Sequence, residues 1–203
     1  MVPAVRVLDE ARARGFVGPG PVVPHLVHAV GFAAAAGGPP PGPALDLGSG
    51  GGLPGLALAL LWPGSHWVLV DASERRTGFL LEAVAALGLD ARVEVVRSRA
   101  EDLGHDPSRR GRHALVVARS FGPPAVVAEC GCPLLIVGGR MVVSEPPEPH
   151  PPRWPPTALE GLGARVGPIV IAPEGTYQVL DQAEACPEQY PRRSGVPAKR
   201  PLF

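Results

Sequence analysis

The chain has 203 residues, 45% of them hydrophobic, and its 19 basic residues balance 19 acidic ones. That length suits one domain with a substantial core, the apolar share excludes a disordered chain, and zero net charge excludes a global field that would gather nucleic acid. Three cysteines (Cys130, Cys132, Cys186), an odd number without CxxC spacing, argue against a disulfide framework or a zinc knuckle.

The 26 glycines and 27 prolines approach a low-complexity share, but the prolines cluster in "GGPPPGP" at 37–43, in "PPEPHPPRWPP" at 146–156 and near the end. Those stretches read as loops, with the apolar runs between them. The N-terminus carries Arg6, Asp9, Glu10, Arg12 and Arg14, which is not a signal peptide. The most apolar segment is interrupted by Pro54 and Pro63 and is too short to span a bilayer. A soluble cytoplasmic protein is the expectation.

In chain order, helices are predicted over about 3–14 and 22–36, forming an N-terminal helical segment (1–36) ahead of the main domain (37–203). "ALDLG" reads as a short buried strand, with a helix from Pro54. "HWVLVDA" is a second strand, and "SERRTGFLLEAVAALGL" a helix whose Phe79, Leu80, Ala83, Val84 and Leu87 share one face before Gly88 closes it. "ARVEVVRS" and "HALVVARS" are the third and fourth strands. "PAVVAECGCPLLIV" reads as a helix, "GGRMVVSE" as a fifth strand, and "RVGPIVIAP" with "TYQVLDQAEA" as an antiparallel closing pair. Such alternation predicts a mostly parallel α/β sheet with helices on both faces, binding ligands at the carboxyl ends of its strands.

Four glycines fall within Gly48–Gly52, between the first strand and its helix. A bare turn there lets a ligand approach the backbone. A phosphate-binding P-loop needs a Gly-Lys-Ser/Thr ending, which is absent. A dinucleotide fingerprint exists formally as Gly50, Gly52 and Gly55, but it begins three residues after Leu47 instead of at the strand's end. The other register, Asp46-x-Gly48-x-Gly50-x-Gly52, puts an acid in front, awkward for a pyrophosphate and favourable for the cation of S-adenosylmethionine. Asp71, ending the second strand, would then accept hydrogen bonds from the ribose hydroxyls. A tight turn without a ligand is the plain alternative.

"DLGSGGGLPGLALAL", "VLVDASERRTGFLLEAV", "SRAEDL", "VVARS" and the closing "YPRRSGVPAKRPL" resemble, in order and spacing, the bacterial small-subunit ribosomal RNA guanine-N7 methyltransferases, also called glucose-inhibited division protein B. The resemblance runs from about Gly42 to Phe203. It implies a Rossmann-like class I methyltransferase with a seven-stranded sheet, S-adenosylmethionine as cofactor, and N7 of a guanine in 16S ribosomal RNA as acceptor. It also implies cofactor contacts at Gly48 and Leu53, at Ala100 and Glu101 beside the adenine, and at Arg119 at the mouth of the site. Arg119 could hold guanine O6, a phosphate or the methionine carboxylate. Arg192, Arg193, Lys199 and Arg200 of the tail are candidate RNA contacts, with Arg97, Arg99, Arg109, Arg110 and Arg112 as further basic candidates. The expected partner is small-subunit ribosomal RNA or the 30S subunit, met by a monomer without metal or membrane. A relative keeping the cofactor fold but using another acceptor, or binding RNA without catalysis, is the second reading.

His25 and His28 lie three apart and read as core or rim histidines, because a metal site wants more ligands. Trp62 and Trp67 read as packing residues; Trp154 is left open to stack a base.

Overall fold

A computed structural model describes residues 2–146 and 153–203. Most of "PPEPHPPRWPP" lies outside the described residues. Two helices lead, α1 (Val2–Ala13) and α2 (Val22–Ala36). There follow β1 (Ala44–Leu47), α3 (Gly55–Leu61), β2 (Trp67–Asp71), α4 (Glu74–Ala86), β3 (Val93–Arg97), α5 (Ala100–His105) and β4 (His113–Ala118). The second half contains α6 (Pro124–Gly131), β5 (Leu135–Glu145), α7 (Pro156–Glu160), β6 (Ala164–Ala172), β7 (Gly175–Gln182) and α8 (Val196–Lys199).

The strands form one seven-stranded sheet in the order β3-β2-β1-β4-β5-β7-β6. Neighbours among β1 to β5 pair in parallel, and β7 pairs antiparallel with both β5 and β6. The expected closing pair is therefore present. Central β1 and β4 are buried at every position, as a strand covered on both faces must be, while edge strand β3 is only partly buried.

The two faces of the pleat feed two cores. Trp67 and Leu69 of β2, with Leu115 and Val117 of β4, pack under α2, α3 and α4 through Phe32, Leu58, Phe79 and Leu80. Val68 and Val70, with Val116 and Ala118, pack on the other face against α5 and α6 through Leu103, Val127 and Ala128. α1 joins the first core through Ala11, and α2 through Phe32 and Ala35. Trp67 stacks on Trp62, centroids 6.3 Å apart, and its indole N–H donates to Ser65 Oγ, so both tryptophans are packing residues.

Among the predicted elements one differs from the sequence reading, and the short helices α5, α7 and α8 go beyond it. α6 ends at Gly131, a 3-10 turn covers Cys132–Leu134, and "LIV" opens β5 instead of closing a helix. Pro133 removes a helical N–H there, and a short apolar run alone does not separate buried helix from buried strand.

Candidate functional site: a cleft at the carboxyl ends of β1, β2 and β4

Parallel register sets the site. Asp46 pairs across to Leu69 and Val117, and Asp71 pairs with Arg97, so the loops after β1, β2, β3 and β4 converge at one edge. Two cavities meet there, sharing Gly48, Arg76 and Ser120. The larger, about 280 Å³, is lined by Asp71, Arg99, Ala100, Glu101 and Phe121 among others. The smaller, about 180 Å³, is lined by Phe16, Gly50, Leu53 and Arg119 among others.

The glycine turn has three different tasks. Gly48 (φ +72°) and Gly50 (φ +54°) sit in the left-handed region and line the cleft. A Cβ on Gly48 would stand 2.5 Å from the Phe121 ring, so the bare position admits that ring. Gly52, also predicted to touch the cofactor, lines neither cavity among the described residues; its missing Cβ makes room for Leu56 and Leu80. Gly55 lets α3 approach β1, since a Cβ there would meet Leu69 and Asp46.

Asp71 is buried yet reaches the larger cavity. Its Oδ1 accepts the Ser73 N–H at 2.9 Å and its Oδ2 the Gly50 N–H at 3.0 Å, with Arg76 at 3.5 Å. Oδ1 keeps a lone pair for a further donor, and a donor arriving at Oδ2 would replace the long Arg76 contact. Asp46 lies deeper, 1% exposed, and lines neither cavity. Its Oδ2 accepts the Gly55 N–H at 2.8 Å, and its Oδ1 has no partner. Burial pushes its carboxyl up to about 7, against the Gly55 hydrogen bond and the Arg119 charge. The direct contact with a ligand expected from sequence is not what the structure places here: Asp46 stands behind the turn and holds Gly55.

Arg119 directly follows β4, half-buried, and burial lowers its pKa. Its guanidinium donates to His25 Nδ1 at 2.8 Å and to His25 O at 3.3 Å, which fixes His25 Nδ1 as an acceptor. Ser120, at φ +54°, is the one non-glycine residue in that region among the described residues, and it borders both cavities. His25, Arg76, Ser120 and Phe121 were not singled out from sequence for this cleft. Arg76 and Ser120 lie inside "RRTGFL" and "ARS" and Phe121 follows the latter, whereas His25 is 94 positions from Arg119, a separation that spacing does not convert into contact. His28 packs on Phe32 and Tyr177, and burial lowers its pKa to about 4. Trp154 is buried and donates to Glu145, so it offers no face to a base.

The basic candidates sort by partner. Arg192 is not free: its backbone N–H and guanidinium are held by Glu129 at 2.6–2.9 Å, a correction to its assignment as an RNA contact. Arg110 is likewise committed to backbone carbonyls, and Arg109 is paired with Glu94. Arg97 pairs with Glu74, and Arg99 with Glu101. Arg193, Lys199 and Arg200 are exposed.

The cleft's residues fit S-adenosylmethionine. Ribose hydroxyls would reach Asp71, the larger cavity beside Ala100 and Glu101 would take the nucleoside, and the smaller one beside Gly48, Leu53 and Arg119 the amino-acid end. The unpaired Asp46 Oδ1 behind the turn suits a cation.

This sheet order and ligand edge define a class I S-adenosylmethionine-dependent methyltransferase. Solved structures agree on the fold. A candidate S-adenosyl-L-methionine-dependent methyltransferase from Methanococcus maripaludis superposes with TM-score 0.61 at 15% identity, covering 89% of this chain and 92% of that one. A variant of MtNAS holding S-adenosylmethionine gives 0.61 at 13% identity, covering 89% of this chain and 74% of that one.

Residues 25–145 match the GidB family, rRNA small subunit methyltransferase G. The chain belongs to that family. It is 36% identical over 167 residues to ribosomal RNA small subunit methyltransferase G of Rubrobacter xylanophilus, covering 77% of this chain and 64% of that protein. The namesake from Dehalococcoides mccartyi is 35% identical, with 78% and 70% covered, and that from Symbiobacterium thermophilum 34%, with 89% and 78% covered. Among the described residues no helix is long and apolar enough to cross a membrane, and no group of three metal-binding side chains exists.

Proposed function

We propose that the chain transfers a methyl group from S-adenosylmethionine to N7 of a guanine in 16S ribosomal RNA, working as a cytoplasmic monomer on the small subunit or its RNA. The observation that carries the reading is the cleft itself: Asp71, Ala100, Glu101, Gly48, Leu53 and Arg119 gathered at one strand edge in a chain of this family.

Bound cofactor supplies an electrophilic methyl on sulfonium, which leaves neutral sulfur behind once N7 has taken it. N7 presents an in-plane lone pair, so no proton must leave first and no general base is required. The protein's tasks are positioning and exclusion of water. Asp71 fixes the ribose. Arg119, locked by His25 inside the smaller cavity, is placed for the methionine carboxylate; among its three sequence roles this one fits its neighbours Gly48 and Leu53 best. N7 becomes cationic as the bond forms, so a guanidinium pointed at it would oppose the reaction. Tethering Arg119 to His25 keeps it aside.

The test uses small subunits from a strain lacking this modification, radiolabelled donor and full-length protein. Label should enter 16S RNA at one guanine, and borohydride–aniline treatment should cleave there. Cofactor binding by calorimetry with no label transferred would sink the catalytic reading and favour a non-enzymatic RNA-binding role.

A further inference from the structure

The segment after Cys186 is stitched to the body by committed charges. Arg110 donates to the carbonyls of Gly104, Cys186, Pro187 and Tyr190 at 2.6–2.9 Å. Glu129 of α6 has no exposed surface, and its carboxylate takes the Arg192 backbone N–H and guanidinium. The same guanidinium donates to Arg200 O at 2.6 Å. Gly195 N–H donates to Glu101 Oε1 at 2.8 Å, and Ser194 Oγ to Asp102 at 2.6 Å.

Burying a carboxylate costs several kcal/mol unless it is fully paired. Glu129 is paired only with the tail, so the fold has committed a core acid to holding this segment in one place. That place is the cofactor cavity. Glu101 lines the cavity and receives the tail, and Ala198 of α8 completes the wall. The next two residues, Lys199 and Arg200, face solvent.

We infer that this segment is a strap coupling the two substrates: Ala198 closes the cofactor cavity while Lys199 and Arg200 hold RNA phosphate, with Glu129 and Arg192 as the positioning pair. The RNA half rests on the reading above; the cavity half concerns the cofactor alone. A wall that gains contact when the cofactor is bound also holds its cations more firmly in place. By linkage the two ligands then favour each other equally.

Two full-length variants test this. Ala198→Trp places bulk on an exposed position that no core contact depends on, and Arg192→Lys keeps the charge but loses the fork that grips Glu129. S-adenosylhomocysteine binding is measured by calorimetry without RNA, and small-subunit retention on filters with and without S-adenosylhomocysteine. Ala198→Trp should weaken the nucleoside by about tenfold or more, and Arg192→Lys should weaken it less. In the wild type, S-adenosylhomocysteine should tighten subunit binding about fivefold, within the usual range of coupling; in Ala198→Trp it should not. Wild-type affinity for the nucleoside in Ala198→Trp overturns the wall. Subunits retained but indifferent to S-adenosylhomocysteine overturn the coupling and leave the RNA reading intact. No retention by the wild type overturns the coupling with that reading, while calorimetry still decides the wall.

Discussion

Asp46 is a buried acid directly behind the glycine turn. Its carboxyl is held near 7 by burial, from an ordinary value of 3.8. The folded chain therefore binds a proton more tightly than the unfolded one, and this group's contribution to stability is full below about pH 4 and is lost as pH rises through 7. The loss is on the order of 4 kcal/mol at about 1.4 kcal/mol per unit. His28 runs oppositely: its pKa is lowered to about 4, so its contribution is present above 6.5 and lost as pH falls toward 4. Asp46→Asn isolates the first effect, because the amide oxygen still accepts the Gly55 N–H. Denaturant midpoints should show the variant more stable than wild type at pH 8, with the gap closing at pH 4. A second outcome concerns the ligand. A sulfonium favours ionised Asp46, so S-adenosylmethionine affinity should rise from pH 6 to 8 while that of neutral S-adenosylhomocysteine changes less. Equal pH profiles for the two compounds in calorimetry would remove Asp46 from cation recognition.

Asp71 is the sharper test of the ribose contact. Asp71→Ala should weaken cofactor binding by about 1–3 kcal/mol, the usual cost of losing hydrogen bonds to a charged group. It also frees the N–H groups of Gly50 and Ser73, so Asp71→Asn, which keeps an acceptor, should recover part of the affinity. Titration calorimetry on both variants checks this. Unchanged affinity in Asp71→Ala would end the ribose role.

At the scale of elements, the turn after β1 shows what a glycine pattern tells and hides. The stretch itself announces a bare backbone, but not which glycine serves a ligand. Gly48 stands against Phe121, seventy-three positions on, and Gly52 against Leu56 and Leu80. Gly48→Ala should therefore reduce cofactor affinity, and combining it with Phe121→Ala should restore part of the loss, because the clash is with that ring. Gly52→Ala should lower the thermal midpoint, because its φ of +90° and the Leu56 side chain both oppose a Cβ, while cofactor affinity changes less. A double-mutant cycle measured by cofactor binding and thermal melting separates the cases. Strand periodicity made β1 to β4 and the antiparallel pair readable, since each is short, apolar and bounded by turn residues. The end of α6 was not, because "PLLIV" satisfies a buried strand as well as a helix until Pro133 is weighed.

Over the whole molecule, legibility follows sequence separation. Asp71 and "RAE" sit at strand ends, where fold class alone predicts a ligand. The contacts that decide roles are remote: Arg119 with His25 across 94 positions, and Glu129 with Arg192 across 63. No spacing rule reaches that far, and so the tail's four cations looked alike. Structure divides them. Arg192 is spoken for by a core acid, whereas Arg193, Lys199 and Arg200 are exposed. A cation that meets phosphate releases counterions, and each such contact on a single strand contributes about 0.7 to the slope of log affinity against log salt. Replacing Arg193, Lys199 and Arg200 together by alanine should thus flatten that slope by about 2 for small-subunit RNA, measured by filter retention across salt concentrations. Arg109→Ala, which removes an arginine already paired with Glu94, should leave the slope unchanged. If the triple variant keeps the wild-type slope, the RNA path runs elsewhere along the strand edge, past Arg75 and Arg76 on α4, and the tail's cations are only a solvated surface.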